Sequence, residues 1–145
     1  MNALSITRHV LTLACMLACA QGRGQTHWLT VMGDPHDASV NTVEVDPRPV
    51  SANENLRTLK VRVSRAAHRA SREGVPYRSF ESQVVFDCAN MTARYTSITY
   101  YMLPLWQGPA HKTSAFPDSQ PRWVEFRSLE PNPTARIIRA ACQSR

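Results

Sequence analysis

Ser79 to Tyr101 limits the possible folds more than any other stretch of the chain. Phe80, Val84, Phe86 and Cys88 share one parity, while Glu81, Gln83 and Asp87 share the other. That period of two is what a half-buried strand requires, and it leaves Cys88 on the core face. Thr92 to Met102, rich in Thr, Tyr and Ile, suits a pleated surface. Cys88-Ala89-Asn90 joins the two runs. Apolar residues of the second run change parity between Tyr95 and Ile98, so either a bulge near Ser97 or cover on both faces is expected.

Other strands are expected at Trp28 to Met32, at Thr42 to Asp46, and at Leu56 to Ser64, where Leu59, Val61 and Val63 face inward and Lys60 and Arg62 face water. Pro47 and Pro49 stop the second of these, because proline cannot donate to a ladder. Ser51 to Glu54 reads as a polar loop. Short strands are expected near Lys112 to Phe116 and at Trp123 to Phe126. The chain ends on its clearest helix signal: Asn132 to cap, Pro133 at the first helical position, and Ala135, Ile138 and Cys142 on one face. Between Arg65 and Gly74 two structures compete. Arg65, Arg69 and Arg72 have helical spacing with Ser64 as a cap and Gly74 as a stop, yet a loop with at most one helical turn is the preferred reading. Strands followed by one helix place the chain in the α+β class.

These residues resemble a known family. Tyr77-Arg78-Ser79, Val85-Phe86-Asp87-Cys88, Thr99-Tyr100-Tyr101, Trp123 and Ala141-Cys142, in that order and spacing, are similar to the surface-adhesin E family of bacterial envelope proteins. The resemblance runs from about Thr26 to Gln143. It implies a small antiparallel β-sheet with a C-terminal helix packed on it and tethered by a Cys88–Cys142 disulfide. It also implies an exported, adhesin-like protein, and it points to a long exposed hairpin connection at residues 65–74.

A leader is legible at the start. Arg8 is the only charge in residues 1–20, Val10 to Leu17 is apolar, and Ala18-Cys19-Ala20 is a small-residue cleavage pattern. The apolar run is too short to span a bilayer. Residues 1–20 are therefore expected to be a signal peptide and 21–145 the mature domain, without a transmembrane segment. Acylation of Cys19 as a lipoprotein is the competing reading, although Met16 and Leu17 match that signal poorly. Cleavage after Ala20 leaves Cys88 and Cys142. An exported chain usually pairs two such distant cysteines, and two buried thiols are the alternative.

Charge is localised. The leader removes one of 17 basic residues, leaving 16 against 11 acidic ones, a net charge of +5. Residues 57–78 contain Arg57, Lys60, Arg62, Arg65, Arg69, Arg72 and Arg78 against Glu73 alone, a net charge of +6, so the rest of the mature chain sums to −1. Arginine forms bidentate contacts with sulfate, phosphate and carboxylate, and clustering strengthens attraction to polyanions. A solvated basic edge that blocks strand-to-strand association explains the same residues. Trp106, in a loop with Gly108 and Pro109, is a candidate partner contact or core cover.

Sequence motifs for chemistry are scarce. His9, His27, His36, His68 and His111 stand apart, and no nucleophile motif, phosphate loop or dinucleotide fingerprint is present. His36 between Asp34 and Asp37 reads as a polar turn rather than a metal or acid–base site. No cofactor, metal site or catalytic residue is expected. The leading expectation is a non-enzymatic envelope or surface protein that binds an acidic host matrix protein or sulfated glycan through residues 57–78 and Trp106. The alternatives are a periplasmic structural or assembly protein, pairing with an envelope component or with itself through a sheet edge, and a small secreted hydrolase.

Overall fold

The computed structural model describes residues 28–143. The leader expected over 1–20, with Cys19, and the first residues of the domain expected over 21–145 lie outside them. At the centre is the antiparallel pair that alternation around Cys88 anticipates: β5 (Pro76–Asp87) and β6 (Thr92–Tyr101), joined by a turn at residues 88–91. Asp87 holds that turn, its carboxylate accepting from the Ala89 and Asn90 backbone and from the Asn90 side chain. The parity change in β6 is a bulge. Gln83 faces Ser97 while Val84 faces Tyr95, which leaves Thr96 as the extra residue and lets Ala93, Tyr95, Ile98 and Tyr100 all be buried.

The remaining strands extend the sheet on both sides. β1 (Leu29–Met32), β2 (Thr42–Val45), β4 (Leu56–Ala70), β5, β6 and β7 (Lys112–Ala115) are neighbours in that order, all antiparallel. Between β1 and β2, Gly33 adopts a positive φ, and a Cβ there would collide with the Asn41 carbonyl oxygen. Ser51–Asn53, expected as a loop, is instead a short strand, β3, pairing with the start of β4 through a turn at Glu54 and Asn55. The last expected strand is shorter than its apolar pattern suggested. β8 is only Arg122–Trp123, and Val124 to Phe126 leave the ladder after the Val124 amide donates to Ala93.

Residues 65–70 form neither a helix nor a loop. β4 runs on to Ala70 and turns back through Ser71–Val75, with Gly74 at positive φ. Helical spacing of arginines is also compatible with an extended strand when a bulge breaks the register. Ser64 faces Ser79 and Arg69 faces Tyr77, so residues 65–68 oppose Arg78 alone. The Arg78 guanidinium fills this irregularity, donating to the carbonyl oxygens of Arg65, Ala66 and Ala38.

One face of the sheet holds the core. Val43, Val45, Leu59, Val61, Val63, Phe80, Val84 and Phe86 form it, covered by Val124, Phe126 and Leu129 and by α1 (Thr134–Gln143). Asn132 Oδ1 accepts from the Thr134 amide, and helical bonding starts at the Pro133 carbonyl, as the capping signal predicted. The buried helix face is Ile137, Ile138 and Ala141, whereas Ala135, expected on it, is exposed. Cys142 beside that face is bonded to Cys88 across 54 residues of sequence. In the chain-entropy picture, closing such a loop stabilises the fold by about 4 kcal/mol. The chain is thus a mostly antiparallel sheet with one C-terminal helix, linked to the sheet by the Cys88–Cys142 disulfide.

Candidate functional site

The opposite face of the sheet uses part of the basic segment for itself. Glu44 on β2 faces Arg62 on β4, and Arg62 Nε lies 2.6 Å from Glu44 Oε2. Thr30 donates to the other carboxylate oxygen. Glu44 is 2% exposed, so its charge is compensated by direct pairing inside a desolvated setting. The guanidinium is sandwiched between indoles, 4.2 Å from the Trp28 ring and 3.9 Å from the Trp106 ring. Trp106 comes from a tight turn, Pro104–Trp106, in which Leu105 and Trp106 both have positive φ and which is pinned to the sheet by Ser64 and Ser79. Leu105 N donates to Ser64 Oγ, Trp106 N to Ser79 Oγ, and Trp106 Nε1 to the Phe80 carbonyl. Arg62, expected to point freely to water, is therefore half-buried and engaged.

Of the other residues singled out in the sequence, Arg57 reaches the Ala141 carbonyl at the helix end, Lys60 is exposed beside Asp46, and Arg78 fills the β4 irregularity. Arg65, Arg69 and Arg72 behave differently. They line a cavity of about 350 Å³ on the core side of the sheet, beyond the segment 124–129 that covers the core. Phe80, Tyr95, Ile98 and Tyr100 line it on the sheet side. Strict alternation would send Tyr77 to the other face with Ser79, but the irregularity opposite Arg78 re-aims it. Its ring stands 5.6 Å from Phe80 and 5.4 Å from Tyr100, in edge and tilted contacts.

Two further arginines complete the rim, and neither stood out in the sequence. Arg122 is placed opposite Tyr95 by the β6–β8 pairing, and Arg127 follows in the covering segment. Only register brings them near Arg65, so no local spacing signals them. Glu125 is the one carboxylate lining the cavity among the described residues. It lies 2.9 Å from Arg127 and 3.7 Å from Arg72, while Glu73 lies 3.5 Å from Arg122.

Five guanidinium groups and two carboxylates leave the cavity positive, and its semi-enclosed walls strengthen that field. Arg65 is 4% exposed, and burial pulls its pKa down, with Arg69 adding repulsion and Tyr77 opposing both. It stays a cation, because guanidinium starts so high. Burial pushes the Tyr77 phenol up against the pull of Arg65, Arg69 and Arg122, so it is a neutral hydroxyl at physiological pH. The arrangement can bind an oxyanion on an aromatic floor. Neither histidine nor cysteine lines it among the described residues, and no group of three His, Cys, Asp or Glu side chains is placed to hold a metal there or elsewhere among them.

A family model described as surface-adhesin protein E matches residues 28–143, most of the chain. The chain belongs to that family. No match was found among curated proteins or among solved structures. As a surface-adhesin E member it is a surface adhesin-like protein, and among its described residues no helix is long and apolar enough to cross a membrane. The matched range spans both the tethering disulfide and the arginine-lined cavity.

Proposed function

We propose that this surface-adhesin E member is an exported, non-enzymatic binding protein that recognises an acidic partner, a host matrix protein or a sulfated glycan, through its basic segment. The mature domain would be 21–145, released from a leader at 1–20. Within residues 57–78 the reading narrows to Arg65, Arg69 and Arg72, since Arg62 and Arg78 are engaged inside the fold. One observation supports it above all: the tip of the β4–β5 hairpin gathers those three arginines with Arg122 and Arg127 around a single cavity, rather than scattering them over the surface.

Retention on a heparin column tests this, with a variant carrying Arg65→Ser, Arg69→Ser and Arg72→Ser as comparison. The variant is expected to elute at distinctly lower salt. Unchanged elution salt removes the segment from the binding role. Protease treatment of intact cells tests the location: loss of the protein beside an intact periplasmic control supports surface display. Protection until the outer membrane is opened transfers the reading to a periplasmic partner, an envelope component or a second copy.

A further inference from the structure

A solvated basic edge does not need a buried arginine. Arg65 is 4% exposed, no carboxylate pairs with it, and its Nε has no hydrogen-bond partner among the described residues. Among the described residues, its Nη2 donates to the Ser128 carbonyl, at 3.3 Å. Arg122 Nε is also buried with no hydrogen bond among the described residues, although it lies 3.5 Å from a Glu73 carboxylate oxygen. Buried donors in native proteins are nearly always satisfied, by protein, ordered water or a bound ion. Here the two without a hydrogen bond among the described residues belong to guanidinium groups lining one cavity.

The cavity also limits what sits there. About 350 Å³ is at the small end of small-molecule sites. It suits one ring with its substituents. Tyr77 offers a half-buried ring surface backed by Tyr100, and Ser71 and Ser128 add polar groups at the margin. An acidic peptide would seek main-chain partners, and several beside the cavity are taken. Arg78 takes the Arg65 and Ala66 carbonyls, and Ser71 bonds Gly74 and Val75. Left over are fork-shaped cationic donors, hydroxyls and aromatic faces, which match a sugar ring bearing an acid group.

We propose that the cavity binds one acidic sugar residue, its carboxylate or sulfate oxygens accepting from the guanidinium groups of Arg65 and Arg122 and its ring lying against Tyr77. This rests on the acidic-partner reading above and names the group of the partner that is gripped. Arg69 and Arg72, exposed at the rim, steer the acidic chain, whereas Arg65 and Arg122 hold the residue.

Nitrogen-15 NMR of arginine Nε–H groups in the full exported chain tests the site. The probes are glucuronate, glucosamine 6-sulfate, neutral glucose and a blocked glutamate amide. Glucuronate or the sulfated sugar is expected to shift the Arg65 and Arg122 signals to saturation, and glucose to leave them in place. Arg65→Met is expected to weaken binding at least about tenfold, and the Arg69→Ser, Arg72→Ser pair far less. Absence of a saturating shift at Arg65 overturns the site. If heparin elution of the serine triple still falls, the outer basic surface stands without it. Equal saturation by the glutamate amide also overturns the sugar assignment, in favour of an acidic peptide. A saturating sugar shift combined with unchanged heparin elution overturns the polyanion reading and leaves the cavity as the binding site.

Discussion

Arg62 and Arg65 lie three residues apart on one strand, and both are withdrawn from water, but the fold treats them in opposite ways. Arg62 meets Glu44 at 2.6 Å and is closed between Trp28 and Trp106. Arg65 faces the other side of the sheet, with one long contact to a carbonyl and an unused Nε–H. The β4 irregularity lies just beyond Ser64, where ordinary alternation ends. A charge buried with its partner belongs to the architecture, because removing either member strands the other. A charge buried without an ionic partner carries a desolvation penalty that a bound anion would offset.

Arg62→Met gives the largest effect expected from this contrast. It leaves the Glu44 carboxylate buried without its cation, so the fold is expected to lose about 3 to 5 kcal/mol. The drop in urea midpoint measures it. Adding Glu44→Gln to the same chain should recover most of the loss, since the amide carries no charge to strand. A loss below about 1 kcal/mol in the single variant would mean that water already compensates Glu44, and the contrast with Arg65 would collapse.

Arg65→Met should move stability the other way or leave it unchanged. Methionine fills similar space without desolvating a cation, and such replacements are often neutral or stabilising, here by about 1 kcal/mol. Melting and urea unfolding measure it beside the wild type. Destabilisation beyond about 1 kcal/mol would make the Ser128 contact a structural clamp and place Arg65 with Arg62.

How much of this was legible follows from the range of each signal. The β5 alternation, the β6 parity change and the Asn132-Pro133 cap are local patterns, and the structure follows them. The buried ion pair was legible only by comparing distant stretches. Val43-Glu44-Val45 and Val61-Arg62-Val63 are matching triplets of opposite charge, and they pair with Glu44 facing Arg62. Read alone, each triplet sends its charge to water, because alternation says nothing about cover on the second face. That cover comes from Trp106, whose turn is held by serines on two different strands. Arg122 joins Arg65 through the register of a two-residue strand, and Tyr77 reaches the cavity through the break opposite Arg78. Neither event has a local period to read. The buried helix face takes in Ile137 and Ala141 rather than Ala135, while Ile138 stays on it as its spacing suggested.

The smallest expected effect is also the most direct probe of where the Arg65 charge acts. Burial raises the Tyr77 pKa, and Arg65, Arg69 and Arg122 lower it without cancelling that rise. A phenol ionises less readily in such a fold than in the unfolded chain, where its pKa is about 10. Its contribution to stability is therefore complete below about pH 10 and is lost as pH rises through the higher folded value. Arg65→Met removes a group that favours the phenolate, so Tyr77 should ionise at still higher pH, while Arg62→Met should leave its titration in place. The Tyr77 ring-carbon shift followed by NMR across alkaline pH measures both. An unmoved titration in Arg65→Met would mean that the guanidinium field does not reach the phenol, and an equal movement in Arg62→Met would mean that the two arginines act only through net charge.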